Sequence, residues 1–162
     1  MNDADYIPKW TAKSWTHFLD LVDKAQRELS SETPGVTEFW YRGHERASHT
    51  LTPSLFRYRD PEGKRDSEAN QEYLFALYAR ALLGDPGCEM GTWERLFDMQ
   101  HYGIPTRLLD WTQVLGVAVF FAVRPNNQDR PSVFVLNPVA LNRKNHLTEV
   151  LRVPDASVVY HK

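Results

Sequence analysis

WERLFDMQHYGIPTRLLDWTQVLGVAVFFAV, residues 93–123, is the stretch that decides the fold of this chain. It contains an amphipathic run, a break at Gly103–Thr106 and a second run that is almost wholly apolar. This pattern predicts two helices, the first capped by Thr92 and ended by Gly103. The second helix, about 113–123 with Asp110 or Thr112 as its cap, is apolar on nearly every side and is expected to be a central buried helix.

Five polar or ionisable residues lie between the apolar parts of these two helices: Gln100, His101, Thr106, Arg107 and Asp110. An unpaired charge near a core costs several kcal/mol at least, so such groups need either a partner or a function. This short segment is therefore the first place to look for a functional site.

The remaining elements are spaced along the rest of the chain. Hydrophobic periodicity and turn residues predict helices over 14–29, capped by Ser14, and over 68–83, and strands over 37–42 (TEFWYR), 132–136 (SVFVL) and 157–160. This order is typical of an α+β domain, in which a small mixed sheet is flanked by helices. We expect an N-terminal arm over 1–13 and a single domain over 14–162.

Composition bounds the class of protein. The chain has 162 residues, 42% of them hydrophobic and 25% charged, and a net charge of -2, which are values of an ordinary globular domain without a global attraction to nucleic acid. The single cysteine, Cys88, cannot form an internal disulfide, and the first ten residues do not resemble a signal peptide. The longest apolar run, Val114–Val123, is too short to cross a bilayer, so a cytoplasmic protein without a membrane segment is predicted.

Arg42 is the first candidate for a ligand-binding residue. It follows an aromatic strand and precedes Gly43. A guanidinium presents a fixed fork of donors that matches phosphate or carboxylate, and the glycine would let a ligand approach the backbone. The structural alternative is an ion pair, for which Asp110 is the candidate partner.

Each polar residue of the 100–110 segment has two interpretations. His101 is either a proton carrier or a helix-terminal histidine that donates to a carbonyl. Thr106 either binds phosphate through its hydroxyl or stabilises the turn. Arg107 and Asp110 either belong to a site or pair with each other and brace the loop.

Several common site types find no match in the sequence. His44, His49 and His101 lack the spacing of zinc or iron ligands, so no metal site is predicted. The chain contains no P-loop, no GxGxxG and no GxSxG motif.

The chain contains three motifs in order: Tyr41-Arg42-Gly43, Leu51–Arg57 (LTPSLFR) and Gln100–Thr112 (QHYGIPTRLLDWT). Together they resemble the signature of the FRG domain family, and the resemblance covers roughly Phe39–Leu136. That family is found chiefly in bacteria and their phages, so the resemblance implies a role in a toxin or phage-defence system. FRG-like proteins usually continue well beyond the point that corresponds to residue 162 of this sequence. The resemblance therefore predicts a short member, a fragment or one half of a split architecture.

The first functional hypothesis is a nucleotide-type ligand in a polar cleft, where the Arg42 strand meets the 101–110 loop. The order of an arginine at the end of an early aromatic strand, a later apolar helix and a further strand is loosely similar to the layout of ADP-ribosyltransferases. This similarity implies NAD as a cofactor held by Arg42. The catalytic candidates are Arg42, His101 and Asp110, and the ligand-binding candidates are Tyr41, Gly43, Gln100, Thr106 and Arg107. The chain departs from the transferase pattern because no Glu-x-Glu pair follows, and Glu149 is the only glutamate after Glu94.

The second hypothesis is a non-catalytic module whose target is a protein or a nucleic acid. A metal-independent nuclease that uses His101 and Arg42 is a third. The sequence assigns neither a target nor an oligomeric state.

Overall fold

The architecture comes from a computed structural model, which describes residues 10–31, 33–35, 37–59, 63–64, 67–83, 92–124 and 130–144. The elements within these residues are α1 (Trp15–Ser31), β1 (Trp40–His44), α2 (Ser54–Arg57), α3 (Glu68–Leu83), α4 (Thr92–His101), α5 (Leu115–Ala122), β2 (Ser132–Leu136) and α6 (Pro138–Lys144). The predicted α+β class is confirmed. The predicted strand over 157–160 and most of the predicted arm over 1–13 lie outside the described residues.

The described residues divide into two compact units. Unit 1 takes those of Met1–Leu51 and Asp110–Val150 and contains α1, β1, α5, β2 and α6. Unit 2 takes those of Thr52–Leu109 and contains α2, α3 and α4. Each unit has a hydrophobic cluster of its own. That residues 14–162 form a single domain stays a prediction.

The sheet of unit 1 is an antiparallel pair of strands within the described residues, whereas the prediction was a mixed sheet. In its register Arg42 lies opposite Phe134, and His44 lies opposite Ser132. On the other edge of β1, Tyr41 exchanges two backbone hydrogen bonds with Thr112, at 2.7 and 2.9 Å. β1 begins at Trp40 and ends at His44, so it lies further along the chain than the predicted strand over 37–42.

The two faces of this sheet have different surroundings. Tyr41 packs with Val22 of α1 and Ala118 of α5, and Val133 and Val135 of β2 join the same cluster. Because side chains alternate along a strand, Arg42, His44 and their cross-strand neighbours Phe134 and Ser132 lie on the opposite face. The apolar core of unit 1 and the polar groups of interest are therefore separated by the sheet.

Helix α5 differs from the central buried helix that was predicted. It begins at Leu115, with Val114 as an N-cap residue that makes no side-chain capping bond. Only its small residues, Ala118 and Ala122, are buried, and the large ones on the other side are exposed, Phe120 by 58%. The expectation of burial on all sides was wrong, because α5 packs a narrow face of small residues against the strands and directs its bulky residues away from them.

Unit 2 packs α3 against α4. Phe75 of α3 and Leu96 and Met99 of α4 form a buried cluster. Helix α4 ends in a Schellman motif, since the N–H of Ile104 donates to the carbonyl of Met99 at 2.9 Å and Gly103, with a φ of 76°, donates to Gln100 at 3.1 Å. The predicted helix end at Gly103 is confirmed.

Candidate functional site

The side chain of Arg42 is held at two points in unit 1. Its Nε donates to Nε2 of His44 at 2.9 Å, and its Nη1 donates to the backbone carbonyl of Asp110. His44 follows Arg42 by two positions on β1 and therefore lies on the same face of the strand. The guanidinium is thus oriented both by its own strand and by the segment that precedes α5.

The hydrogen bonds of His44 determine its tautomer. The guanidinium can only donate, so Nε2 of His44 accepts and carries no proton. Nδ1 lies 3.0 Å from the carbonyl oxygen of His49, which can only accept, so Nδ1 carries the proton. The ring is buried and rests edge-on against Phe134, with centroids 4.9 Å apart. His44 is therefore a neutral positioning group for Arg42 in this arrangement.

Asp110 contributes its backbone to this site. The described contact with Arg42 is made by the main-chain oxygen, whereas the predicted structural alternative was an ion pair with the carboxylate. A carbonyl oxygen stays in place whatever the pH, so this contact orients the guanidinium independently of the ionisation of the side chain. Asp110 is exposed.

Ser132 adds an unsatisfied hydroxyl beside this pair. Its Oγ is buried and has no hydrogen-bond partner among the described residues. Ser132 pairs directly with His44 across the sheet, so its side chain lies on the Arg42 face. A buried hydroxyl that lacks a partner costs about 1–3 kcal/mol and commonly marks the place of a ligand or water.

Tyr41 and Gly43 lie on the opposite face of β1 from Arg42. Tyr41 is 6% exposed, and its hydroxyl is hydrogen-bonded to Nε2 of Gln26. A Cβ added to Gly43 would lie 1.8 Å from the carbonyl oxygen of Ala118, so the absence of a side chain lets α5 approach the strand. The structure thus does not bring Tyr41 or Gly43 into one site with Arg42 on this strand.

Thr106 holds together a turn of unit 2. It is fully buried, and its hydroxyl donates to Oε1 of Gln100 and accepts from the N–H of Leu108 at 3.2 Å. Its backbone N–H donates to Oγ of Ser54 at 3.2 Å, and its carbonyl accepts from the N–H of Leu55 at 3.1 Å. Of the two interpretations of Thr106, these contacts support the structural one.

His101 and Arg107 are exposed residues of unit 2. His101 occupies the last turn of α4, and its ring meets that of Tyr102 edge-on, with centroids 5.3 Å apart. Arg42 and Asp110 belong to unit 1, and Gln100, His101, Thr106 and Arg107 to unit 2. The structure therefore brings together the first two, and it brings Gln100 together with Thr106. A cleft shared by all of them stays a prediction.

Sequence reasoning missed His44 and Ser132. The predicted strand ends at Arg42, which leaves His44 outside it. The separation of two residues between Arg42 and His44 is a signal that could have found it, since residues i and i+2 of a strand share a face. No signal of this kind exists for Ser132, because its place opposite His44 depends on the register of the sheet.

Two kinds of feature, a metal-binding cluster and a membrane-spanning helix, are absent from the described residues. These residues contain no group of three or more His, Cys, Asp or Glu side chains that could hold a metal ion. They also contain no helix that is both long enough and apolar enough to cross a membrane.

The comparisons with known proteins bear on family rather than activity. No curated protein and no solved structure matches the chain. The loose likeness to ADP-ribosyltransferases therefore stays a prediction. The family model of the FRG domain matches residues 37–130, which is more than half of the chain and includes all three sequence motifs. The chain belongs to the FRG domain family.

Proposed function

We propose that unit 1 binds a phosphate-bearing ligand of the nucleotide type at the Arg42 face of its sheet, with NAD as the first candidate. The observation that carries this proposal is the orientation of the guanidinium by His44 and by the carbonyl of Asp110. An arginine that is already oriented loses less side-chain entropy when it binds phosphate. Both of these orienting groups accept a hydrogen bond from the guanidinium and so fix the direction in which it points.

The surroundings of Arg42 support an anionic ligand. The hydroxyl of Ser132, on the same face, can donate a hydrogen bond to a phosphate oxygen. Two exposed arginines, Arg46 and Arg130, lie near the same end of the sheet, where the N–H of Ala47 donates to the carbonyl of Arg130 at 2.7 Å. A guanidinium near a bound phosphate attracts it, whereas the carboxylate of Glu45, in the same segment, opposes this attraction.

The proposal concerns binding, and group transfer from NAD stays a prediction. Glu149, the only glutamate that follows Glu94, lies outside the described residues. Bacterial or phage origin and a role in a toxin or phage-defence system are a further part of the proposal. Their support is the family membership alone.

The test is calorimetric titration of the purified chain with NAD and ADP-ribose. We compare the wild type with Arg42→Ala, Arg42→Lys and Arg143→Ala, the last being a matched control because Arg143 is an exposed arginine of α6 in the same unit. We expect saturable binding that falls at least a hundredfold in Arg42→Ala and about tenfold in Arg42→Lys, which keeps the charge but loses the fork. Arg143→Ala should bind as the wild type does.

A Ser132→Ala variant separates binding from folding. It removes a hydroxyl that has no hydrogen-bond partner in the described part of the chain, so its free energy of unfolding should stay within about 0.5 kcal/mol of the wild type or rise slightly. Its affinity for the ligand should nevertheless fall. Absence of binding to either compound, or equal affinity in a folded Arg42→Ala variant, would refute the nucleotide proposal.

A second candidate function, a non-catalytic module for a protein partner, is favoured by α5. Its exposed side carries Val117, Phe120 and Phe121, and the guanidinium of Arg124 lies 5.6 Å from the ring centre of Phe121. Aromatic residues beside an arginine are enriched at protein interfaces. Sedimentation of the wild type and of a Phe120→Ser, Phe121→Ser double variant tests the simplest partner, a second copy. Association of the wild type that the variant lacks would favour this function.

A further inference from the structure

We infer that the cavity between α1 and β1 binds a small organic cation, a primary amine or a guanidinium, through the carboxylate of Glu38. The cavity has a volume of about 530 Å³ and is lined by residues that include Asp23, Gln26, Arg27, Glu38, Tyr41 and Gln113. Cavities of roughly 300–1,000 Å³ are typical of small-molecule sites. It is also the cavity beside Tyr41, which sequence analysis placed among the ligand-binding residues.

The carboxylate of Glu38 is oriented by two neutral donors. Its Oε1 accepts from the indole N–H of Trp40 at 2.9 Å and from Nε2 of Gln113 at 2.7 Å. Within the described part of the chain it forms no ion pair. A carboxylate that is held in place by neutral groups keeps its full negative charge, and a charge-assisted hydrogen bond to a ligand cation is about twice as strong as a neutral one.

The contact with Glu38 also determines the orientation of Gln113. An ionised carboxylate can only accept, so the amide of Gln113 must donate its NH₂ group and present its carbonyl oxygen elsewhere. The amide oxygen of Gln113 is therefore a second hydrogen-bond acceptor on a residue of the lining. Two acceptors match the several N–H donors of an ammonium or guanidinium group.

The charges of the lining exclude an anion as the preferred ligand. Asp23 and Arg27 pair with each other at 2.8 Å on α1, which leaves Glu38 as the uncompensated charge among these lining residues. Phe39, half-buried at the same cavity, supplies an apolar surface for the stem that carries the cationic group. The lining contains none of Arg42, His44 and Ser132, so the argument for this cavity does not depend on the proposed anion site.

The experiment titrates the full chain with cadaverine and agmatine, and with n-pentanol as an uncharged ligand of similar length. The variants are Glu38→Gln, which keeps the shape and removes the charge, and Glu28→Gln, a matched control because Glu28 is an exposed glutamate of α1 outside the lining. Calorimetry gives the affinity. The indole N–H resonance of Trp40 in a proton–nitrogen correlation spectrum, identified with Trp40→Phe, reports directly on the bonds of Glu38.

We expect saturable binding of at least one cation, a shift of the Trp40 resonance, and an affinity at least tenfold lower in Glu38→Gln but unchanged in Glu28→Gln. The pentanol should not bind. Parallel titrations with the amides of Nα-acetyl-lysine and Nα-acetyl-arginine distinguish a protein side chain from a free amine as the source of the cation. No saturable binding of any cation, or equal affinity in Glu38→Gln, would overturn the inference.

Discussion

The three residues of the Tyr41-Arg42-Gly43 motif have different structural roles. Arg42 extends from one face of β1 toward His44 and Asp110, whereas Tyr41 belongs to the hydrophobic cluster on the other face. Gly43 lies on the same face as Tyr41, and its lack of a side chain lets the backbone of α5 approach the strand. The motif therefore combines one polar residue with two residues that assemble the core.

Gly43→Ala tests the packing role of this glycine. The added Cβ would lie 1.8 Å from the backbone oxygen of Ala118 and 2.8 Å from the backbone nitrogen of Ala122, and neither backbone atom can rotate away as a side chain would. We expect a loss of about 3 kcal/mol or more in the free energy of unfolding. Urea denaturation, followed by circular dichroism, measures it.

Gly116→Ala is the matched control for this variant. Gly116 lies in α5, and a Cβ there would meet no atom of the described residues within 4 Å. Because alanine is the better helix former, the control should be neutral or more stable by up to about 1 kcal/mol. A Gly43→Ala variant as stable as the control would contradict the packing role.

At the scale of elements, helix positions were predicted better than helix faces. Helix α3 runs over Glu68–Leu83 as expected, and the N–H of Asn70 donates to Oγ of Ser67 in the manner of an N-cap. Its spacing favours a buried face that includes Tyr73 and Leu77, but in the structure Tyr73 and Leu77 are exposed and Phe75 is buried. Apolar residues occur on most sides of α3, so periodicity could not select the side that its neighbour covers.

Thr106→Val tests the turn that joins α4 to the segment after it. Valine has nearly the same shape but lacks the hydroxyl, so Oε1 of Gln100 and the N–H of Leu108 each lose a partner in a buried place. We expect the free energy of unfolding to fall by about 1–3 kcal/mol. Chemical denaturation of Thr106→Val and Thr106→Ser measures the effect.

The serine variant retains the hydroxyl and loses only a methyl group, so it should be the more stable of the two. Equal destabilisation would assign the effect to packing instead of hydrogen bonding. Thr106→Val with wild-type stability would show that the turn does not need these bonds.

At the scale of the whole molecule, each compact unit has its own apolar cluster. Tyr41, Val22 and Ala118 are buried in unit 1, and Met99 and Leu96 are buried in unit 2. The proposed anion site and the proposed cation site both belong to unit 1. The packing of unit 2 can therefore be tested with variants that leave both sites untouched.

Met99→Ala tests how much the cluster of unit 2 contributes. Met99 is fully buried, so its truncation removes apolar contacts and leaves a cavity. We expect a loss of about 2–5 kcal/mol in the free energy of unfolding, with faster hydrogen exchange along α4. Phe97→Ala is the control, because Phe97 lies in the same helix and is 41% exposed.

The Phe97→Ala variant should lose much less stability than Met99→Ala, although its side chain is larger. A greater loss in Phe97→Ala would place the main apolar contacts of α4 on the other side of the helix. Thermal unfolding of both variants, monitored by circular dichroism, makes the comparison.

Local patterns were enough to predict the family, the α+β class and several ends of elements. Ser14 accepts from the N–H of His17 at 3.1 Å as the expected cap of α1, and Gly103 ends α4 as expected. These features depend on residues within about one turn of each other, so their cause is contained in a short window of sequence.

The partners of the site residues were decided only by the tertiary structure. Arg42 and Asp110 are 68 positions apart, and Glu38 and Gln113 are 75 positions apart. Which residues face one another over such separations depends on strand register and on how closely a helix approaches the sheet, and neither is encoded in a local period. For the same reason, local sequence could not predict the one-sided burial of α5 or the place of Ser132 opposite His44. Both depend on the tertiary structure.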